Sequence, residues 1–351
     1  MDCFIDDAIM QKGQPATAGS KMLANFISPF DATVVTRLEE NTKMKRHSKA
    51  GTDEFGASAL TLESVDSLPT AVETVKSGTA AVALCNDYAG TIRRSAAANG
   101  LNYIHPTYGT VSRFGLIPAV QSMDQIGIVC KSLSDGFSVL EAIAGSDPKD
   151  GTMFPEARYA YAPGKSGIKI GVPANVAKDP AVAEFVKNFD SVEFELEYFD
   201  AYSHVMRILC FAELCHNTNR YDGIKFGYRS EDFHGLKELY TKGRTEAFGF
   251  NAKLAAIMGA FILSGETYTS YYDKAMRIRR LIKESLSFDK YDAIILPAHD
   301  ESDPLMRLAY TALPQLAGLP SVIVPFGGGI SLIADVKCEN TLFSALREVG
   351  S

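Results

Sequence analysis

The chain has 351 residues, of which 46% are hydrophobic and 22% are charged. This balance is typical of a globular protein with a large core, and it excludes a disordered or fibrous chain. The formal net charge of −7 argues against a generally basic surface, so contact with a nucleic acid would need a local patch or a partner protein.

The apolar runs, the N-terminus and the cysteines all favour a cytoplasmic protein. No window approaches the roughly 20 apolar residues of a membrane span, and the N-terminus lacks the basic and apolar regions of a leader peptide. The six cysteines are widely spaced without a Cys-x-x-Cys pair, as is common for reduced thiols in the cytosol. We therefore expect a cytoplasmic protein with no membrane contact, no direct nucleic-acid contact, no metal and no cofactor.

Helix and strand signals alternate along the first third of the chain. Residues 31–39 predict a helix capped by Asp31. The basic cluster at 43–49 is interpreted as a solvated loop, with a contact surface as the alternative. Pro69 suits the first turn of another helix, and residues 80–84 predict a buried strand.

The remaining elements continue the same alternation, which favours an α/β fold. They are a helix capped by Ser132 or Ser134 and ended by Gly145, a strand at 168–172, a helix opened by Asp179 and Pro180, a strand at 192–196, helices across 202–287 with a loop at 220–228, strands at 293–297 and 322–325, and a closing helix at 338–349. No flexible linker separates them, so one domain over residues 1–351 is predicted.

Three motifs in the first half carry the most information about function. Residues 87–93 read Asp-Tyr-Ala-Gly-Thr-Ile-Arg, residues 105–116 read His-Pro-Thr-Tyr-Gly-Thr-Val-Ser-Arg-Phe-Gly-Leu, and residues 123–127 read Met-Asp-Gln-Ile-Gly. Together they resemble the centre of the amidase-signature family, in which a serine in a Gly-Gly-Ser-Ile-Arg turn attacks an amide. The resemblance implies an α/β/α sandwich around a mixed, largely internal β-sheet.

Further motifs extend the resemblance over nearly the whole chain. They lie at residues 20–23, 31–35, 52–55, 141–147, 220–224, 303–305 and 316–320. Within the family, the chain is most similar to the A subunits of glutamyl-tRNA(Gln) amidotransferases, which release ammonia from glutamine for transamidation of misacylated tRNA beside B and C subunits. The resemblance implies B-like and C-like partner subunits and glutamine or another small amide as ligand. Relative to the family, we expect the chain to be shortened at both ends.

Amide hydrolysis needs a nucleophile, a base and donors for the oxyanion, and the positions of the base and the nucleophile both differ from the family pattern. The family's Ile-Lys-Asp-Asn-Ile corresponds to residues 5–9, which puts Asp6 where the lysine belongs. That exchange removes the positive charge that helps hold the anionic intermediate. The family's attacking serine corresponds to Thr91, whose methyl group stiffens the side chain. The alternative interpretation of Thr91 is a hydroxyl that caps the helix start.

The remaining parts of the family's catalytic unit are also altered. Ungapped spacing back from Thr91 puts Ser67 at the place of the family's bridging serine. The family's loop there is Gly-Gly-Ser-Ser-Gly-Gly, whereas residues 57–77 contain no glycine, so Ser67 is interpreted as an ordinary loop hydroxyl. The oxyanion hole falls on Tyr88, Ala89 and Gly90. A forced positive φ at Ala89 would cost about 1 kcal/mol, and Tyr88 is interpreted as filling space meant for substrate.

Substrate recognition is only partly retained. Arg279 matches a family arginine that resembles a carboxylate-binding group for glutamine, a task that suits a forked guanidinium. The alternative is a surface helix that carries three arginines. Residues 306–312 lack the acid with which the family would bind an ammonium group, which argues against glutamine specificity.

The leading hypothesis is a catalytically degenerate amidase-signature protein, a pseudoenzyme kept for binding or assembly or a decayed copy. It depends on Asp6, Thr91 and the loop without glycine. Two alternatives stay open: an active amidase or transamidation protein with Thr91 as its nucleophile, and a non-enzymatic protein that binds B-like and C-like subunits.

Overall fold

The computed structural model describes residues 2–49, 53–61, 68–298 and 303–348. This part of the chain forms ten strands and twelve α-helices. The strands are β1 (Asp2–Asp6), β2 (Lys45–Lys49), β3 (Val82–Asn86), β4 (Asn102–His105), β5 (Ile126–Cys130), β6 (Lys169–Pro173), β7 (Asp190–Phe194), β8 (Ala293–Pro297), β9 (Ser321–Val324) and β10 (Ile330–Ala334). The helices are α1 (Thr33–Asn41), α2 (Ser58–Thr61), α3 (Thr70–Lys76), α4 (Thr91–Ala98), α5 (Leu133–Ile143), α6 (Pro180–Phe185), α7 (Tyr202–Thr218), α8 (Gly235–Ala247), α9 (Phe250–Ile262), α10 (Lys274–Ser285), α11 (Pro304–Ala317) and α12 (Glu339–Glu348).

All ten strands belong to one mixed sheet in the order β2-β1-β3-β5-β4-β9-β10-β8-β6-β7. The pairs at its two ends are parallel, namely β2 with β1, β1 with β3, β8 with β6 and β6 with β7. The pairs between β3 and β8 are antiparallel. The predicted mixed sheet is therefore confirmed.

The two faces of the sheet are covered by different helices. Because successive side chains of a strand point to opposite faces, Ile5 and Leu84 pack with α1, α5, α6 and α12, whereas Phe4 and Cys85 pack with α3 and α4 on the other face. Further along that second face, β8 and β10 pack on α7, α9, α10 and α11. This arrangement is the predicted α/β/α sandwich.

Two predictions made from local sequence are wrong near the first helix. Asp31 does not cap α1, because the backbone enters the helix at Ala32; its carboxylate instead accepts the Lys12 N–H at 2.9 Å and pairs with Arg46 at 3.1 Å. The basic cluster at 43–49 is not a loop, because Lys45–Lys49 forms the edge strand β2. Sheet pairing with β1 outweighs the low β-propensity of these residues.

Other element predictions hold with small shifts. Ser132 caps α5 and Asp179 caps α6 through their side chains. The strands β4, β5 and β10 were not predicted, since each is short and wholly buried, and periodicity does not distinguish such runs from a helix segment. Of the helices in the described ranges, none is both long and apolar enough to cross a membrane.

Candidate active site

A cavity of about 90 Å³ lies at the carboxyl ends of the parallel strands β1 and β3, where α3 and α4 begin. Asp6 is the last residue of β1 and Thr91 is the first residue of α4, and both line the cavity. Tyr88 and Ala89 line it as well. The structure thus brings together four of the residues predicted for the site.

Gly90 forms the turn that leads into α4. Its φ is +81°, a conformation that favours glycine. A Cβ at this position would lie 2.3 Å from Thr311 Oγ1 on α11, so the turn also requires the close approach that only glycine permits. The strain expected at Ala89 is absent, because its φ is not positive.

Tyr88 forms a wall of the cavity with its ring. The side chain is buried, and its hydroxyl donates to the carbonyl oxygen of Phe55 at 2.9 Å. Burial raises the pKa of Tyr88 well above its usual value, so the phenol stays neutral. Its polar end is used to hold the segment at Phe55 and Gly56, where a Cβ on Gly56 would lie 3.1 Å from the ring.

Thr91 does not cap the helix, contrary to the alternative interpretation. The carboxylate of Asp87 does so, since it accepts the backbone N–H groups of Ile92 at 3.1 Å and Arg93 at 3.0 Å. The hydroxyl of Thr91 is buried and has no hydrogen-bond partner among the described residues. Within the described residues, nothing is therefore positioned to take a proton from Thr91 through a direct hydrogen bond.

Asp87 is the residue of this turn that sequence reasoning missed. Its carboxylate forms an ion pair with the guanidinium of Arg93 at 2.8 Å, and its carbonyl oxygen accepts from Arg93 Nη2 at 2.6 Å and from Gln315 Nε2 at 3.1 Å. The available signal was an acidic residue just before a predicted helix start.

The cavity has an acidic lining. Asp6, Asp7, Asp53 and Asp87 line it, and its lining contains no described Lys, Arg or His. Burial and the nearby charges of Asp7 and Asp53 together raise the pKa of Asp6 to about 7, although the 2.9 Å hydrogen bond from the Ala8 N–H acts to lower it. Burial also raises the pKa of Asp53.

Arg279 does not line this cavity. Its guanidinium donates to the carbonyl oxygen of Leu316 at 2.9 Å and to the hydroxyl and carbonyl oxygens of Ser122 at 2.8 and 3.0 Å. The interpretation as a surface arginine fits its neighbours Arg277 and Arg280, which form exposed ion pairs. Arg279 itself is partly buried and ties α10 to α11 and to the loop at Ser122.

The last two features to be compared with the structure are the predicted bridging serine and metal binding. Ser67 lies outside the described residues. In the described ranges, no group of three or more His, Cys, Asp or Glu side chains is placed to hold a metal ion.

Comparison with known proteins decides the family. The model of the amidase family matches residues 74–326, a range that includes Thr91 and Arg279. The chain belongs to the amidase family. This confirms the resemblance inferred from the sequence motifs.

Individual members of the amidase family agree with this assignment. The chain is 35% identical to the glutamyl-tRNA(Gln) amidotransferase A subunit of Lachnoclostridium phytofermentans. The alignment, with its gaps, is 368 residues long and covers 92% of this chain and 74% of the relative. The crystal structure of the corresponding A subunit from Thermotoga maritima superimposes with a TM-score of 0.77 at 26% identity, over 99% of this chain and 82% of that one. The peptide amidase of Stenotrophomonas maltophilia has a TM-score of 0.75 at 21% identity, over 98% and 81% of the two chains, and this similarity shows the fold alone.

Proposed function

We propose that this amidase-family chain resembles the A subunit of a tRNA-dependent amidotransferase in its fold and assembly but has lost the hydrolytic chemistry. One observation carries the proposal: the cavity beside Thr91 is lined by four aspartates and by no described Lys, Arg or His. An attacking hydroxyl needs a base, and the oxyanion that it creates needs donors or positive charge.

The magnitude of the loss follows from how catalytic groups act together. Disabling members of such a unit commonly lowers turnover by about 10⁴- to 10⁶-fold, and the losses are not additive. Asp6 in its ionised form would oppose a negative intermediate near Thr91, and the Thr91 hydroxyl has no hydrogen-bond partner in the part of the chain that the structure describes. One retained hydroxyl would therefore not restore the rate.

Similarity to A subunits supports a role in assembly. The relatives' names describe one component of glutamyl-tRNA(Gln) amidotransferase, and the match extends over most of the chain. On this basis, B-like and C-like subunits are the proposed partners, and any small amide bound in the cavity would be held without being cleaved.

The test compares the purified chain with its Thr91→Ala variant. Hydrolysis of glutamine and of a simple amide is expected to be equal in the two proteins and to match the background rate. Clear turnover that disappears in Thr91→Ala would overturn the loss of chemistry. Co-purification with B-like and C-like subunits at micromolar concentration tests the assembly role, which fails if neither of them binds.

A second function, hydrolysis by Thr91 with Asp6 as its base, has one specific observation in its favour. Asp6 shares the cavity with Thr91, and burial raises its pKa to about 7, which suits a general base at neutral pH. This function requires turnover that is lost in both Thr91→Ala and Asp6→Asn. Turnover lost in Thr91→Ala but retained in Asp6→Asn would exclude Asp6 as the base.

A further inference from the structure

We propose that the cavity beside Thr91 binds a small organic cation through a primary ammonium group. Asp6 and Asp7 at the end of β1 and Asp53 from the segment before α2 supply carboxylates from different walls. No described Lys, Arg or His lines the cavity to balance them. Asp87 also lines the cavity, but its charge is balanced by the ion pair with Arg93.

Unpartnered polar atoms on the cavity wall also point to a ligand, and the hydroxyl of Thr70 does so independently of the acidic charge. Thr70, the first residue of α3, is 4% exposed, and its hydroxyl has no hydrogen-bond partner in the described structure. Asp7 is only 2% exposed, and its Oδ1 atom likewise has no partner among the residues that the structure describes. A buried polar group left without a partner costs about 1–3 kcal/mol, so a bound donor would stabilise both atoms.

The chemistry of these acceptors favours an ammonium group. A primary ammonium has three N–H donors, which suits oxygen acceptors distributed around a cavity. A metal ion needs several ligands at short distances, and among the described His, Cys, Asp and Glu side chains no group of three is so placed. The cavity volume of about 90 Å³ limits the ligand to a few heavy atoms, since one water occupies about 10–15 Å³ of such space.

The positive end of a helix does not prevent a cation from binding here. α4 begins at the cavity, and helix N-termini favour negative charge. Two of its first-turn N–H groups, those of Ile92 and Arg93, are already bonded to the Asp87 carboxylate. The negative charges of Asp6, Asp7 and Asp53 therefore remain for the ligand.

Binding is expected to depend on pH through Asp6. The titratable and charged groups around it are Asp7, Asp53 and Asp87 with Arg93, together with the Cys85 thiol and the Tyr88 phenol, which burial keeps neutral. Burial and the charges of Asp7 and Asp53 raise the pKa of Asp6 to about 7, so a cation must displace a proton below that pH. Affinity is expected to rise roughly tenfold between about pH 6 and about pH 8.

This inference rests on the proposed function only in assigning the cavity to a ligand that is not cleaved. The two fail separately, because methylammonium contains no amide and its binding is measured without turnover. An active hydrolase could still bind methylammonium, and an inactive chain could fail to bind it.

The experiment titrates methylammonium chloride into the purified chain by calorimetry or NMR at constant ionic strength. Sodium chloride and tetramethylammonium chloride, which has no N–H donor, are the reference salts. Methylammonium is expected to bind at least tenfold more tightly than either. Asp6→Asn and Asp53→Asn are each expected to weaken binding about tenfold, and Thr70→Val severalfold.

Asp190→Asn is the matched control, because it removes the same charge from an exposed side chain on β7, at the far edge of the sheet. It is expected to leave binding unchanged. Equal responses to methylammonium and sodium, or equal weakening by Asp190→Asn and Asp6→Asn, would overturn the proposal. Tighter binding of Mg²⁺ or Ca²⁺ than of methylammonium would also overturn it in favour of a metal site. Circular dichroism of each variant establishes that a loss of binding is not a loss of fold.

Discussion

Asp87 and Arg93 form a buried ion pair at the turn into α4, with 2.8 Å between Oδ2 and Nε and side chains only 2% and 1% exposed. The same carboxylate caps the first turn of the helix. The buried ion pair therefore holds the turn, and the hydroxyl of Thr91 forms no hydrogen bond with any described residue. This arrangement explains how the turn can persist independently of the Thr91 side chain.

Replacing Arg93 is expected to destabilise the fold strongly. Arg93→Met would leave the Asp87 carboxylate buried without its charged partner, which typically costs about 3–5 kcal/mol. The free energy of unfolding in urea measures this cost. Arg277→Met is the control, because its ion pair with Asp273 involves a side chain that is 76% exposed and such pairs contribute at most about 1 kcal/mol. Similar losses in the two variants would contradict the assigned role of the buried pair.

Substitution of Gly90 tests the close packing between the turn and α11. Gly90→Ala adds a Cβ at 2.3 Å from Thr311 Oγ1 and places alanine at a φ of +81°. The control is Gly100→Ala, where φ is +74° but the added Cβ meets open space. We expect a loss of about 1 kcal/mol for Gly100→Ala, from backbone strain alone, and at least about 2 kcal/mol for Gly90→Ala, from strain and overpacking. Equal losses of stability in thermal or urea unfolding would mean that the Thr311 side chain moves aside at no cost.

The acidic cavity predicts a specific dependence of stability on pH. The folded protein raises the pKa of Asp6 from 3.8 to about 7, so between these values the folded state holds a proton that the unfolded state has lost. Stability therefore falls as pH rises through this window. Asp6→Asn cannot ionise and still accepts the Ala8 N–H, so it is expected to exceed the wild type in unfolding free energy by about 2–4 kcal/mol at about pH 8.

The advantage of Asp6→Asn should shrink on acidification and become small below about pH 4. Urea unfolding across this range measures it, and Asp190→Asn, which alters an exposed carboxylate, should show no such trend. A constant difference between Asp6→Asn and the wild type at all pH values would refute a raised pKa at Asp6.

Arg279 is expected to matter for stability. Arg279→Met removes hydrogen bonds to Leu316 and Ser122, and bonds from a charged donor contribute about 1.5–3 kcal/mol each. We expect a loss of about 2–3 kcal/mol in unfolding free energy. Arg280→Met, with a side chain that is 79% exposed, should change stability by less than about 1 kcal/mol. Matching values for the two variants would indicate that the bonds of Arg279 are not formed in solution.

Local sequence signals were most reliable where a side chain acts on its own neighbourhood. Asp179 and Pro180 predicted the start of α6 because a carboxylate and a proline satisfy the first turn directly. The capping signal failed at Asp31, because the carboxylate of Asp31 bonds to Lys12 and Arg46 instead of the start of the helix. Local signals also failed for β2, because pairing with β1 is decided by residues about forty positions away in the chain.

The amino-acid sequence by itself determined the α/β class and the amidase-family resemblance, whereas the replacement of a lysine and a serine of the family pattern by Asp6 and Thr91 stays a prediction. Only the tertiary structure decided that Asp6, Asp7, Asp53 and Thr91 line one cavity, that Asp87 holds the turn, and that Arg279 is engaged elsewhere. The physical reason is the distance along the chain over which each effect acts. Periodicity and capping act over a few residues, whereas the order of strands in the sheet brings distant segments together and sets the burial and charge of each side chain.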